Sequence, residues 1–240
     1  IETDSSSGIA TSKPLPLGVY GIKEVDSPKY YFTDGEMFFA EAKVHDDLVK
    51  FKAKNEPVSL ETTVEKRGNE EVQAGDSFAY TLYNIENKSN VPLSEFYIHD
   101  KLPTEAVSLE TLWTGVWSER AKMEVQIRTN LKTKYRTVAK NLLSNVNNEI
   151  DCSRSALGLA SNDYVTEIRI VFTEDVQPGF HDTTGPRIQV KVLDDLQNGQ
   201  KFTNKVDVGG KYEKENVYNT DGWTSISRNK PRGDLPKTGW

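Results

Sequence analysis

Alternation along the chain puts three polar residues where apolar ones belong. Lys66 shares a strand face with Val64, Asp100 with Phe96 and Ile98, and Asn204 with Phe202 and Val206. Residues two apart in a strand point to the same side, so an amine, a carboxyl and a carboxamide are each aimed at whatever their apolar neighbours pack against. Taking such groups out of water is costly unless they find partners. Burial also favours the neutral forms of Lys and Asp, and a neutral amine is a nucleophile. The plainer alternative is a buried Lys66–Asp100 salt bridge with an unrelated Asn204. A smaller set has the same character: Glu24 and Asn55 fall on the face that otherwise carries Tyr20, Ile22, Val49 and Phe51. Its plainer alternative is a pair of polar strand ends at a rim.

Other constellations carry less. Cys152 with His181 or His99 offers a thiol and a base, but no hydrolase signature surrounds them, and His99 falls on the outward side of its strand. Asp46-Asp47, Asp194-Asp195 and the Asn147-Asn148-Glu149-Ile150-Asp151 cluster could place oxygens on calcium, although acidic surface loops without a metal are commoner. Trp113 and Trp117, four apart in a strand-like segment, share one face, as core or as a ligand platform.

The elements that must position these groups are strands. No useful stretch carries apolar residues at i, i+3, i+4 and i+7, whereas period-two alternation recurs from end to end. It predicts strands over 17–25, 49–55, 60–66, 78–84, 96–100, 123–127, 165–172, 187–193 and 202–208, joined by Gly, Pro, Asn and Asp turns, with Phe78, Tyr80, Leu82 and Asn84 sharing one face of theirs. In the third-to-last of the gaps, 141–162 is the least strand-like stretch, with one short helix expected around 153–159. Pro57, which cannot donate to a ladder, marks a joint between two domains at 55–58. From Ser227 onward alternation is lost, as in a solvated tail.

Composition sets the limits. The 240 residues suffice for one large or two modest domains, and 36 acidic against 30 basic side chains argue against a nucleic-acid partner. A single Cys excludes an internal disulfide framework, and three scattered His make a His-based metal cage unexpected. No apolar run approaches the roughly 20 residues of a membrane helix.

Three segments resemble known families. Leu235-Pro236-Lys237-Thr238-Gly239 resembles the LPxTG sorting signal of Gram-positive surface proteins, which the transpeptidase sortase cuts between Thr and Gly. Its thiolate forms an acyl-enzyme with the Thr carbonyl and passes the chain to an amine on the cell wall or on a pilin. Such signals are followed by an apolar helix and a basic tail; only Trp240 follows here, which reads as a chain cut after the signal. Arg232-Gly233-Asp234 matches the tripeptide that integrins read, a pattern short enough to recur by chance.

The run from Ile9 through Leu15-Pro16-Leu17-Gly18-Val19-Tyr20-Gly21-Ile22-Lys23-Glu24-Val25 to Pro28 resembles the Cna B-type domain, a transthyretin-like sandwich. The resemblance implies that Glu24 catalyses an isopeptide bond to Asn55. It starts in the middle of the family's pattern, without the strand that supplies the Lys, so Asn55 is expected to stay uncrosslinked unless another chain provides that strand. Val64-Glu65-Lys66, 74–84, Phe96-Tyr97-Ile98-His99-Asp100-Lys101-Leu102-Pro103 and Phe202-Thr203-Asn204-Lys205-Val206 together resemble the Cna A-type, Ig-like domain. That resemblance implies a Lys66–Asn204 isopeptide bond catalysed by Asp100, which polarises the carboxamide and shuttles protons while the amine attacks and ammonia leaves.

The expectation is therefore an all-β chain: a partial transthyretin-like Cna B-type sandwich over 1–56, an Ig-like Cna A-type β-sandwich over 57–227, and a tail over 228–240. Its expected role is structural and not enzymatic, as a pilin subunit or adhesin stalk secreted and covalently anchored to the cell wall. Expected partners are sortase and peptidoglycan or another pilin subunit, with a host matrix protein or glycan as a further partner. No cofactor, metal or nucleic acid is expected. The alternatives are a stalk for a wall-anchored enzyme lying upstream, or direct host-ligand binding by the Ig-like domain.

Overall fold

The computed structural model describes residues 2–4, 6–45 and 48–228. The sorting signal at Leu235–Gly239, the Arg232-Gly233-Asp234 tripeptide and the Asp46-Asp47 pair lie outside the described residues. Two compact units, Ile1–Val58 and Ser59–Trp240, divide the chain just after Pro57.

In the first unit β1 (Gly18–Lys23) pairs antiparallel with β2 (Met37–Ala42), placing Tyr20 opposite Ala40 and Ile22 opposite Phe38. The strand expected over 49–55 does not form. Its alternation marks a face but does not by itself supply a pairing partner, and the described sheet of this unit holds β1 and β2 alone. Instead, Phe51 packs its ring 4.5 Å from that of Phe38, and the chain next meets backbone at Glu56, whose carbonyl accepts from Phe32 N–H.

The second unit begins with β3 (Thr62–Arg67), β4 (Glu71–Gln73), β5 (Ser77–Asn87) and β6 (Ser94–Lys101). It continues with β7 (Val107–Trp113), β8 (Val116–Trp117), β9 (Lys122–Thr129), β10 (Lys132–Leu143) and β11 (Glu149–Asp151). It closes with β12 (Val165–Phe172), β13 (Asp182–Thr184), β14 (Arg187–Val192), β15 (Lys201–Tyr212) and β16 (Glu215–Arg228). A seven-stranded sheet runs β10-β9-β12-β6-β15-β16-β4, a five-stranded sheet runs β11-β7-β14-β5-β3, and β13 pairs with β8 in a ribbon. The two large sheets share one core, as in a β-sandwich. Phe78, Tyr80, Leu82, Ile188 and Val190 come to it from one sheet, and Phe96, Ile98, Ile127, Ile168, Val206 and Val208 from the other.

Two local expectations are corrected. Asn84 does not continue the inward face of Phe78, Tyr80 and Leu82: it adopts φ 52° where β5 carries an extra residue against β3, and it lies exposed. That bulge flips the parity, so Ile85 and Asn87 point inward instead. The helix expected at 153–159 is a series of turns. The Asp151 carboxylate accepts from Ser153 N–H as at a helix start, but the backbone bonds that follow are of mixed turn spacing and Gly158 at φ 62° ends the winding within one or two turns.

Candidate functional site

Lys66, Asp100 and Asn204 all lie in the core of the second unit, 2%, 1% and 0% exposed. They come from both sheets. Lys66 sits on β3, the edge of the five-stranded sheet, while Asp100 on β6 and Asn204 on β15 belong to adjacent strands of the seven-stranded one. Asp100 pairs across the ladder with Val206, which makes Asn204, two residues away on the same face, its diagonal neighbour. From the opposite sheet the Lys66 ammonium forms an ion pair with Asp100 Oδ2. Three polar atoms there have no hydrogen-bond partner: Asp100 Oδ1 and both the Oδ1 and Nδ2 of Asn204. Leaving a buried polar group unbonded costs about 1–3 kcal/mol each, so this is a costly arrangement for a passive core.

Burial drives the Lys66 amine well below its ordinary value of 10.5, against the opposing pull of Asp100. The neutral, nucleophilic amine is therefore reached at lower pH than in a free lysine. The Tyr80 ring stands 4.9 Å from Lys66 Nζ. Burial raises the phenol above its ordinary value, so it stays protonated.

Sequence reasoning missed three residues that shape this chamber: Tyr80 in this role, Trp223 and Gly68. A Cβ on Gly68 would stand 2.8 Å from the Tyr80 ring and 3.0 Å from the Trp223 ring, and the Trp223 indole N–H donates to Asn69 O at 3.1 Å. Gly68→Ala is therefore expected to displace both rings and lower stability by about 1–3 kcal/mol, read as a lower urea midpoint.

In the first unit the structure brings Glu24 and Asn55 together. Asn55 Nδ2 donates to Glu24 Oε1 at 2.9 Å, and Asp34 N–H donates to Glu24 Oε2 at 2.7 Å. Asn55 Oδ1 is buried without a donor. Among the described residues the two units thus differ: in the first the acid accepts from the carboxamide, whereas in the second the acid holds an amine and the carboxamide beside it is unbonded.

The weaker candidates resolve into structural roles. Cys152 is buried, its thiol pushed up to about 12 by burial first and by Asp151 second, while His181 Nδ1 lies 2.8 Å from Gly179 O and His99 meets Glu167 and Asp207. Native Cys152 is accordingly expected to resist iodoacetamide at pH 8 and to react fully in denaturant, counted by mass. Asn147 and Asn148 brace the turn after β10, accepting from Gly115 N–H and donating to Leu143 and Val146 carbonyls. Among the described residues no group of three or more His, Cys, Asp or Glu is arranged to hold a metal. Trp117 is 3% exposed and stacks on Phe180, whereas Trp113 meets Arg187, so the two do not form a paired platform. The break between β7 and β8 removes the common face that their spacing suggested.

No family model matches the chain, and no curated protein is detectably similar in sequence. Among solved structures, Spo0M, a sporulation control protein from Bacillus subtilis, aligns with a TM-score of 0.25 and 8% identity, covering 70% of this chain and 49% of that one. The chain thus spans about half the length of that protein, and a likeness so slight carries no argument.

Proposed function

We propose that this chain is part of a wall-anchored surface structural protein of a Gram-positive bacterium, a pilin subunit or adhesin stalk, whose second unit is an Ig-like, Cna A-type domain stapled by its own Lys66–Asn204 bond. The single observation that carries this reading is the Asn204 carboxamide, buried with neither its oxygen nor its nitrogen hydrogen-bonded, diagonal to the Asp100 carboxyl that holds the Lys66 amine.

In the reaction, Lys66 Nζ as the neutral amine attacks Asn204 Cγ. Asp100, within reach of the amine, carries its proton to the departing Nδ2. One C–N bond forms, one breaks, and ammonia leaves; no oxidant or cofactor takes part. The product joins the edge strand of one sheet to an inner strand of the other. It closes a long loop as a disulfide would, without being open to reductants, which suits an extracellular chain with a single Cys. In the first unit, the Cna B-type reading assigns Glu24 and Asn55 the same roles toward a lysine. The tail reading gives Leu235, Pro236, Lys237, Thr238 and Gly239 to sortase, with wall peptidoglycan or another subunit as the acceptor.

Tryptic digestion of the purified chain with tandem mass spectrometry tests the bond. The expected product is one branched peptide joining the Lys66 and Asn204 segments. Recovery of both segments only as linear peptides contradicts the reading.

A further inference from the structure

Where the Lys66 side chain points is set by its backbone, and one bond to that backbone comes from the opposite sheet. Lys66 N–H donates to Asp221 Oδ2 at 2.7 Å. β3 is an edge strand, paired on one side only, with Lys66 opposite Leu82 of β5. An N–H that such a strand turns away from its neighbour must find its acceptor elsewhere. Close by, the β3–β5 register slips between Thr63 and Glu65, so the ladder alone holds this stretch loosely.

Asp221 is placed to supply the missing restraint. It faces Val206 across the β15–β16 ladder, and Val206 faces Asp100 across β15–β6. Asp100, Val206 and Asp221 therefore form one inward row over three adjacent strands, and Asn204 with Trp223 forms a neighbouring inward row. The strands that carry the acid and the amide thus also carry the residue that grips the backbone of the amine. We propose that Asp221 is a positioning residue for the Lys66–Asn204 crosslink, fixing the Lys66 backbone so that its amine meets Asp100 and Asn204. This inference rests on the crosslinking reading above.

The two properties of Asp221 oppose each other. Its oxygen positions the nucleophile, while its negative charge favours the unreactive ammonium form of Lys66. Asparagine retains an acceptor oxygen and removes the charge; alanine removes both. The full chain and its variants are made by cell-free synthesis, aliquots are quenched with time, and intact mass gives the fraction that has lost ammonia. Protease resistance measured in parallel normalises each rate to folded chain.

Asp221→Ala is expected to slow ammonia loss by roughly tenfold or more, the effect of one hydrogen bond to a charged acceptor expressed as a rate. Asp221→Asn is expected to restore at least the wild-type rate at neutral pH, with the pH profile moved toward lower pH. Asp221→Ala reacting at the wild-type rate overturns the inference and leaves the crosslink standing. A reduced Asp221→Asn rate with an unmoved profile also overturns it, and this arm decides the matter if the alanine variant does not fold. Wild-type chain that never loses ammonia overturns the crosslink and this inference with it.

Discussion

Asn204→Ala is expected to lower the melting temperature by roughly 10–20 °C while leaving the fold intact. The substitution takes away the acyl group yet keeps the Lys66–Asp100 pair, so it isolates the worth of the bond better than removing either charged partner. The crosslink closes a loop of roughly 140 residues, which in the chain-entropy account is worth about 5 kcal/mol. Against this, the variant loses a carboxamide that has no hydrogen bond, so little else is forfeited. The variant should also acquire a pH dependence that the crosslinked chain lacks. Its Lys66 still titrates, with a folded value below the 10.5 of the unfolded chain. Between those two values the unfolded state binds more protons, so stability should rise with pH across that window. Thermal unfolding between pH 7 and 10 checks both points; an unchanged melting temperature contradicts the account.

Asp100→Ala is expected to have the larger effect, because it removes the proton carrier and also strands the amine. Lys66 and Asn204 both remain, yet no ammonia should leave. The uncrosslinked chain must then bury Lys66 without the Asp100 partner it has in the core, a loss of about 3–5 kcal/mol beyond that of the bond. Denaturation by urea at neutral pH should show Asp100→Ala well below Asn204→Ala. If the two variants unfold together, the Lys66–Asp100 pair has no part in holding the core.

Alternation made much of this legible in the sequence. β12 covers the residues that period two marks out, and β6, β9 and β15 contain theirs, because each buries one face against a core of large side chains. The same parity put Lys66, Asp100 and Asn204 inward, where the structure has them. What stayed hidden lacks that contrast. β16 carries Asn216, Asn219, Thr220, Asp221 and Gly222, so no apolar face announces it, and Asp221 could not be recognised as inward. β10 is an edge strand with Lys132, Lys134, Arg136 and Lys140 exposed, charges that guard an open edge and blur the pattern. At Asn84 the alternation is present but misleading, because one bulge reverses every side chain after it. In the first unit, 49–55 alternates as well as any strand and pairs with nothing, since periodicity records a face and not the presence of a partner.

The central claim is a covalent one, and the intact mass of the purified, denatured chain tests it most directly. The account expects wild-type chain to weigh less than its sequence by the mass of one ammonia, and the Lys66→Ala, Asp100→Ala and Asn204→Ala variants to carry their full masses. A wild-type chain of full, unmodified mass would contradict it.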